Sequence, residues 1–225
     1  MNKPEIKILS EDSSIIIIEK PAGLATQTAD VRMPDCVSLI KAHIRKENPD
    51  KAKEPYVGVI HRLDQPVAGL LVFAKTPQAA GKLSGDVRDR LVNKHYLALV
   101  EGLVDVPDDT RLEDQIYKDP KTRKAMIADD TYQGDGAKKA CLIYRTEKYL
   151  ASQNCTILSI DLITGRFHQI RAQLSHLGHP IVGDRKYGAV MPYPKGIALA
   201  ADRLEFIHPD TGDKIEKVVD FSFSL

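Results

Sequence analysis

Two short, widely separated segments hold the residue types that could do chemistry. In residues 61–64 (HRLD) Asp64 follows a basic turn, and in residues 165–171 (GRFHQIR) two arginines and a glutamine open a predicted helix. A carboxylate and a guanidinium from distant segments can form a site that keeps the carboxylate ionised and binds an anionic partner. The pattern therefore predicts a charged site to which both segments contribute.

Asp64 is the first candidate for catalysis. It lies in a predicted turn between two apolar strands, and loops held between buried strands often present catalytic groups. Taken alone, an aspartate in a turn is more often a cap or a surface residue. A carboxylate is also a suitable nucleophile, so its role depends on what surrounds it.

Arg171 is the matching candidate on the second segment. In the predicted helix 167–177, Ile170, Leu174 and Leu177 form a buried stripe, and Arg171 lies at its edge. From there a guanidinium can reach inward to a carboxylate and favour its ionised form. A phosphate contact or a surface salt bridge is the alternative interpretation.

The elements that must position these residues are mostly strands. Apolar and β-branched runs predict strands at 6–9, 14–19, 56–60, 69–74, 94–100, 141–146, 156–163 and 197–206. Helical spacing predicts helices at 36–47 and 167–177, and a third that begins at Pro77 and carries Ala80, Leu83, Val87 and Leu91 on one face. Strands and helices do not alternate regularly, which favours an α+β fold around a large, mostly antiparallel sheet. Because no linker or repeat appears, we expect one domain, 1–225.

The composition is that of an ordinary globular chain: of 225 residues, 43% are hydrophobic and 28% are charged. The three cysteines, Cys36, Cys141 and Cys155, form no Cys-x-x-Cys pair, which argues against a disulfide framework or a zinc ribbon. The longest aliphatic run, 15–18, is too short to cross a bilayer, and the start of the chain has no signal-peptide pattern. We therefore expect a cytoplasmic protein with no membrane partner.

Positive charge is local rather than global, since the net charge is only +1. Two basic regions stand out. In 118–124 the cations face only Asp119, and they are Lys118, Lys121, Arg123 and Lys124. In 164–203 two aspartates face six cations, which are Arg166, Arg171, Arg185, Lys186, Lys195 and Arg203. Such regions can hold a phosphate backbone, although solvated charges on an ordinary surface are the simpler interpretation.

Longer stretches around the two segments resemble the signatures of the RluA-type RNA pseudouridine synthases. Residues 61–76 (HRLDQPVAGLLVFAKT) resemble the pattern around the catalytic aspartate of that family, and residues 94–102 (KHYLALVEG) fit its Lys-x-Tyr-x-Ala-x-Val-x-Gly motif. Residues 165–188 (GRFHQIRAQLSHLGHPIVGDRKYG) fit its third motif, and residues 15–24, which end in EKPAGL, resemble its first strand and turn. The resemblance covers most of the chain in the family order.

This resemblance implies the pseudouridine synthase fold, an α+β domain with a mixed, mostly antiparallel sheet, flanking helices and an RNA-binding cleft. It also implies an isomerase that converts uridine to pseudouridine in structured tRNA or rRNA. Isomerisation needs no redox step and no activated donor, so we expect no cofactor. RNA is the expected partner, and we expect a monomer.

The resemblance assigns roles to individual residues. Asp64 is the nucleophile and Arg171 its ion-pair partner. Tyr96 supplies a flat face for the flipped uracil and a hydroxyl near C5, unless it is simply a strand tyrosine with its ring in the core. Arg62 either enters the vacated base stack or contacts phosphate. Further RNA contacts are expected from His61, Lys94, Lys121, Arg123, Lys124, Arg166, His168 and Gln169.

The chain departs from the family pattern after the aspartate. Many relatives have Arg-x-Thr-Ser-Gly there, and this chain has QPVAG at 65–69, so Gln65 removes one cation beside the site. We also expect no small S4-type RNA-binding domain, because the sequence begins near the first strand of the catalytic domain. We therefore expect RNA selection to come from the catalytic domain itself.

Two other function classes compete with this interpretation. The main rival is a catalytically idle RNA-binding or RNA-folding protein on the same scaffold, against which the presence of Asp64, Tyr96 and Arg171 argues. A distant third is a metal-dependent hydrolase that uses His168, His176 and His179. No cysteine or carboxylate completes a convincing ligand set around these histidines, so we expect no metal site.

Overall fold

The computed structural model describes residues 5–30, 32–47, 49, 53–194 and 196–223. By its internal contacts the chain divides into two compact units: Met1–Val92 with Ala201–Asp220, and Asn93–Ala200 with Phe221–Leu225. The single-domain prediction for 1–225 stays a prediction. In the described part of the chain, no helix is both long and apolar enough to cross a membrane.

Eleven strands and three α-helices are present in the described residues. The strands are β1 (Lys7–Glu11), β2 (Ile15–Lys20), β3 (Gly58–Val59), β4 (Ala68–Ala74), β5 (Asn93–Glu101), β6 (Thr110–Lys118), β7 (Ala125–Ile127), β8 (Lys138–Leu150), β9 (Cys155–Leu162), β10 (Leu199–Ile207) and β11 (Lys214–Val218). The helices are α1 (Cys36–Glu47), α2 (Pro77–Arg88) and α3 (Gln169–His176).

The first unit is a sheet with two helices. Its strand order is β1-β2-β4-β10, with β3 on β4 and β11 on β10. The pairings β1–β2, β2–β4, β3–β4 and β10–β11 are antiparallel. Alternate residues of β2 and β4 pack with α2 in one hydrophobic cluster, whose members include Ile15, Ile17, Leu70, Val72 and Leu83. This core fixes β4, which follows Asp64 in the chain, and includes Ile60, which lies just before the Asp64 turn.

Side-chain caps begin both helices of this unit. The Asp35 carboxylate accepts from Ser38 N at 2.7 Å, and Ser38 Oγ accepts from Asp35 N at 3.0 Å. At α2, Thr76 Oγ1 accepts from Ala79 N at 3.1 Å and Pro77 is the first helical residue. These caps satisfy N–H groups that have no partner within the helix, which is why both helices begin where they do.

The second unit is a sheet with one helix. Its strands run β5-β9-β8-β6-β7, and each pairs antiparallel with the next. A small apolar cluster joins α3 to the β6–β7 hairpin, and its members are Ile116, Ala125, Ala140, Ala172 and Tyr187. The hairpin that carries the basic run 118–124 is therefore held against the helix that carries Arg171.

The predicted α+β class is confirmed, and the helix predicted at 36–47 has the predicted bounds. Several boundaries were wrong, and the strand predicted at 141–146 is longer, Lys138–Leu150. The strand predicted at 56–60 contains only Gly58–Val59, and α2 ends at Arg88, so Leu91 lies outside it. The helix predicted at 167–177 begins at Gln169, because His168 has a left-handed backbone with φ 51°. Strands β6, β7 and β11 were missed.

Gly69 lies in β4 just after the Asp64 loop and generates a stability prediction. Its φ is +126°, and a Cβ built there would overlap the backbone of Ala201 on β10. Gly69→Ala should therefore lower the free energy of unfolding by roughly 2–4 kcal/mol. Gly81→Ala is the matched control: nothing lies near its Cβ position in α2, so it should stabilise by about 0.5–1 kcal/mol. Urea unfolding measures both, and an unchanged stability for Gly69→Ala would contradict the close packing.

Candidate functional site

The Asp64 loop connects β3 to β4 in the first unit. Val67 N donates to the Asp64 carbonyl at 3.0 Å, which closes a tight turn. Leu63 and Val67 are buried, whereas Asp64 is half-buried and Arg62 is exposed. The two apolar side chains therefore anchor the turn, and the two charged side chains reach its surface.

The segment that follows β2 holds the residues on either side of Asp64. Thr26 Oγ1 donates to the Leu63 carbonyl at 2.9 Å and accepts from Leu63 N at 3.2 Å. Gly23 N donates to the Gln65 carbonyl at 2.8 Å, and Gln65 Nε2 donates to the Gly23 carbonyl at 3.0 Å. Gln65, which departs from the family pattern, is thus engaged with this segment. The backbone of the Asp64 loop is fixed from both sides.

A buried lysine lies within this arrangement. Lys20 is fully buried, and its Nζ donates to the carbonyls of Pro21 at 3.1 Å, Leu24 at 2.7 Å and Gln65 at 3.2 Å. Burial lowers its pKa from the ordinary 10.5 to about 8, opposed by charge interactions with Cys36 and Asp64. A cation therefore lies near the Asp64 carboxylate. The sequence signal for it was a lysine at the end of an isoleucine run.

The two basic residues predicted beside Asp64 lie in different environments. Arg62 is exposed on the turn. His61 is half-buried, and its Nε2 lies 3.4 Å from Val72 N of β4. Arg62 is therefore placed to meet a ligand, while His61 contacts the protein backbone.

Tyr96 and Lys94 lie on β5 in the second unit. Tyr96 is opposite Ile160 of β9, and its side chain is 5% exposed. Lys94 is half-buried, and burial lowers the pKa of its ammonium group. The Tyr96 ring is thus nearly fully buried in this structure, and its contact with a uracil base stays a prediction.

Arg171 on α3 forms a buried ion pair. Its Nε donates to Asp184 Oδ2 at 2.6 Å and its Nη2 to Asp184 Oδ1 at 3.0 Å, with side-chain exposures of 6% and 1%. Two parallel bonds of this kind fix the plane of a guanidinium. Asp184 was missed, although the Gly-Asp pair of the third motif was its sequence signal. Asp64 belongs to the first unit and Arg171 to the second, and their pairing stays a prediction.

Tyr187 connects Arg171 to His168. The Arg171 guanidinium lies 4.9 Å from the centroid of the Tyr187 ring. The Tyr187 hydroxyl accepts from Ala125 N at 2.7 Å and is hydrogen-bonded to His168 Nδ1 at 2.8 Å. One buried tyrosine therefore orders the start of α3 and the hairpin strand β7 together.

Gln169 was predicted to contact RNA, and the structure corrects this. Its side chain is 3% exposed and is used within the protein. Its Oε1 accepts from Thr164 Oγ1 at 2.7 Å and from Arg166 N at 3.0 Å, and its Nε2 donates to the Cys141 carbonyl at 3.1 Å. Gln169 fixes the turn that carries Arg166, and its burial leaves no surface for RNA.

The cations of the basic hairpin are at the surface. Lys121 and Arg123 are exposed, and Lys124 is half-buried. Asp119 is engaged in the turn itself, because its carboxylate accepts from Lys121 N at 3.0 Å and from Thr122 N at 3.2 Å. The structure thus presents the positive groups of this run and uses its one carboxylate to shape the turn.

Two further cations of the basic region 164–203 have defined partners. Arg166 is exposed, and its Nε donates to the Lys139 carbonyl at 3.0 Å. Lys186 Nζ donates to the Arg123 carbonyl at 2.7 Å. Lys195 lies outside the described residues.

The three histidines of the metal interpretation have separate environments. His168 is bonded to Tyr187, His176 is exposed at the end of α3, and His179 Nδ1 donates to the Glu101 carbonyl at 2.9 Å. Among the residues that the structure describes, no group of three or more His, Cys, Asp or Glu side chains could hold a metal ion.

Comparison with protein-family models tests the family membership that the motifs suggest. Residues 14–176 match the family model described as RNA pseudouridylate synthase. The chain belongs to this family. It is 37% identical over 225 residues to the "Ribosomal large subunit pseudouridine synthase D" of Nitrosomonas europaea, covering 92% of this chain and 59% of that protein. It is also 37% identical over 218 residues to the protein of the same name from Xylella fastidiosa, covering 91% and 62%. The chain thus spans about three fifths of the length of these relatives.

The fold of the pseudouridylate synthase family is confirmed by a solved structure. The chain is similar to "Human RNA Pseudouridylate Synthase Domain Containing 4" with a TM-score of 0.76 and 21% identity, over 96% of this chain and 88% of that one. At this identity the likeness concerns the fold alone. The predicted pseudouridine synthase fold is therefore correct, and the predicted RNA-binding cleft stays a prediction.

The buried Lys20 generates a pH-dependent stability prediction. Its folded pKa of about 8 lies below the ordinary 10.5, so between these values the unfolded chain holds a proton that the folded chain has released. Unfolding therefore becomes less favourable as the pH rises. The free energy of unfolding of the wild type, minus that of Lys20→Met, should rise by on the order of 3 kcal/mol from pH 7 to pH 11.

This difference should be constant below pH 7, where both states hold the proton, and that range is the internal control. Urea unfolding at a series of pH values measures it. A difference that stays flat up to pH 11 would show that Lys20 is not held in a desolvated environment.

Proposed function

We propose that this chain is an RNA pseudouridine synthase that isomerises specific uridines in structured tRNA or rRNA, with Asp64 as the nucleophile. One observation carries the proposal: in a chain of this family, the Asp64 loop is fixed by backbone hydrogen bonds and a buried lysine, while Asp64 itself stays half-buried. A fixed, partly accessible carboxylate beside a cation is suited to nucleophilic attack. The names of the two relatives make large-subunit rRNA the first substrate to test.

The proposed reaction balances without a co-reactant. The bond from C1′ to N1 breaks, the base turns, and a bond from C1′ to C5 forms. C5 loses its proton and N1 gains one, so no atom is lost overall. The Asp64 carboxylate adds either to C1′ or to the base ring, and it is released when the new bond is complete. The reaction has no redox step and needs no activated donor.

Tyr96 and Arg171 are the proposed partners of Asp64 in this reaction. Tyr96 would stack against the flipped uracil and place its hydroxyl near C5, where the proton leaves. Arg171 would pair with Asp64 and keep it ionised in a desolvated site. Its bidentate contact with Asp184 supports this role, because that contact holds the guanidinium plane in one orientation.

Exposed and half-buried cations are the proposed RNA contacts. Arg62 is on the Asp64 turn, Arg166 precedes α3, and the rest are on the β6–β7 hairpin, namely Lys121, Arg123 and Lys124. Because these cations sit in local groups on a nearly neutral chain, binding should be local and should weaken with salt. The cytoplasmic location, the monomeric state and the lack of a cofactor stay predictions.

Asp64→Asn tests the proposal directly. The substitution keeps the shape of the side chain but removes the nucleophilic charge, so isomerisation should fall by at least ~10³-fold. It removes no phosphate contact, so RNA affinity should stay within about threefold. The assay is tritium release from large-subunit rRNA transcribed with [5-³H]uridine, since C5 loses its hydrogen in the reaction.

Asp213→Asn is the control, because Asp213 is an exposed aspartate of the same unit outside the loop. It should release tritium at the wild-type rate. Equal rates for Asp64→Asn and wild type would exclude Asp64 as the nucleophile. RNA binding by the wild type without tritium release from rRNA or tRNA would favour the catalytically idle RNA-binding protein.

A further inference from the structure

An exposed aromatic residue stands at the start of α3, outside the proposed reaction. Phe167 is 40% exposed. Its ring is stacked on that of His168, with centroids 3.8 Å apart and an interplanar angle of 18°. Lys118 Nζ lies 4.9 Å from the Phe167 centroid. Phe167 therefore presents an aromatic surface to solvent beside a cation, while His168 is half-buried beneath it.

The His168 ring, on which Phe167 stacks, is held in place by Tyr187. His168 has a left-handed backbone, with φ 51°, which is strained for a residue with a side chain. Its Nδ1 is hydrogen-bonded to the Tyr187 hydroxyl at 2.8 Å, and the His168 and Tyr187 rings meet edge to face at 5.6 Å. Tyr187 is buried and accepts from Ala125 N. The rings therefore have a fixed orientation before any ligand arrives.

Cations lie near this aromatic pair. Besides Lys118, Lys124 Nζ lies 6.0 Å from the Tyr187 centroid. Arg166 precedes Phe167 directly and is exposed. An exposed aromatic ring with positive groups beside it is complementary to a nucleotide, which has one flat base and one negative phosphate. It is less suited to a purely apolar partner, because the cations would lose hydration.

We propose that Phe167 and His168 form a stacking platform for one unpaired nucleobase of the bound RNA, with Lys118 and Arg166 on the flanking phosphates. The platform rests on the proposed function, and it adds Phe167 as a base contact beside His168, for which an RNA contact of unspecified kind was expected. All of its residues belong to the second unit. It recognises the flat face of a base, so it selects unpaired nucleotides rather than a sequence.

Lys118 does not block this platform. An exposed contact between a lysine and an aromatic ring changes an equilibrium by only about two- to fivefold, whereas stacking of a base on an aromatic side chain contributes about 5- to 150-fold. The base therefore displaces the ammonium group from the ring. Lys118 is exposed, so its flexible side chain can then turn to a phosphate.

The test compares two fluorescent single-stranded RNA 12-mers: one of mixed sequence, and one in which four central nucleotides are abasic. Fluorescence anisotropy at fixed salt measures the affinity of each. In the wild type the base-bearing RNA should bind more tightly. In Phe167→Ala the ratio of the two affinities should fall at least about fivefold, with an unchanged salt slope. In Phe167→Tyr, which keeps an aromatic ring, the ratio should stay within about twofold.

Two control variants separate stacking from charge and from folding. Val190→Ala changes another exposed apolar side chain of the same unit and should leave the ratio unchanged. Lys118→Ala should reduce the salt slope by about 1 and keep the preference for bases. Circular dichroism shows whether each variant is folded. If Phe167→Tyr keeps the wild-type ratio of the two RNA affinities, the site requires an aromatic ring.

The outcomes distinguish the platform from the proposed function. If the wild type binds both RNAs and Phe167→Ala keeps the wild-type ratio, the platform is wrong and the proposed enzyme is untouched. A folded Phe167→Tyr that loses the ratio as fully as Phe167→Ala also overturns the platform. If the wild type binds neither RNA, the platform fails, whereas the proposed function is decided by tritium release from structured rRNA or tRNA.

Discussion

The buried ammonium group of Lys20 is the interaction on which the Asp64 loop depends. One cation holds three carbonyl oxygens, from Pro21, Leu24 and Gln65, and so joins the end of β2 to the residue after Asp64. Desolvating a lysine is costly, and the three carbonyls together with Asp64 offset that cost. The arrangement shows how the segment after β2 supports the Asp64 loop in this chain.

The second unit contains a corresponding buried charge. The pair of Arg171 and Asp184 is nearly fully buried, and Tyr187 packs on the guanidinium. Removing one member of such a pair leaves an unpaired buried charge, which costs far more than the pair contributes. In both units, therefore, a buried charge fixes the orientation of a group proposed to act on RNA. The surface cations of each unit are less constrained in orientation than these buried charges. They are suited to phosphates of the RNA backbone, because a phosphate contact requires no single geometry.

Features that depend on residues close together in the sequence could be predicted. Features that depend on contacts between distant segments could not. Helix α1 was predicted with its bounds because its apolar spacing is local. Strand β6 was missed because its sequence, TRLEDQIYK, is mostly polar and contains no long apolar run, and Ile116 is buried by residues distant in sequence, such as Ala140 and Ala172. The burial of Gln169 and the partner of Arg171 come from contacts distant in sequence, and no local pattern reports those. The motifs located Asp64 but could not show that Lys20 lies beside its loop.

The central claim is that this chain makes pseudouridine and that Asp64 makes the reaction possible. The most direct measurement is a map of pseudouridine across all cellular RNA, in cells that lack the gene and in the same cells complemented with the wild type or Asp64→Asn. The account predicts that at least one uridine in rRNA or tRNA loses its modification, and that only the wild type restores it. An identical map with and without the gene, or full restoration by Asp64→Asn, would contradict the account.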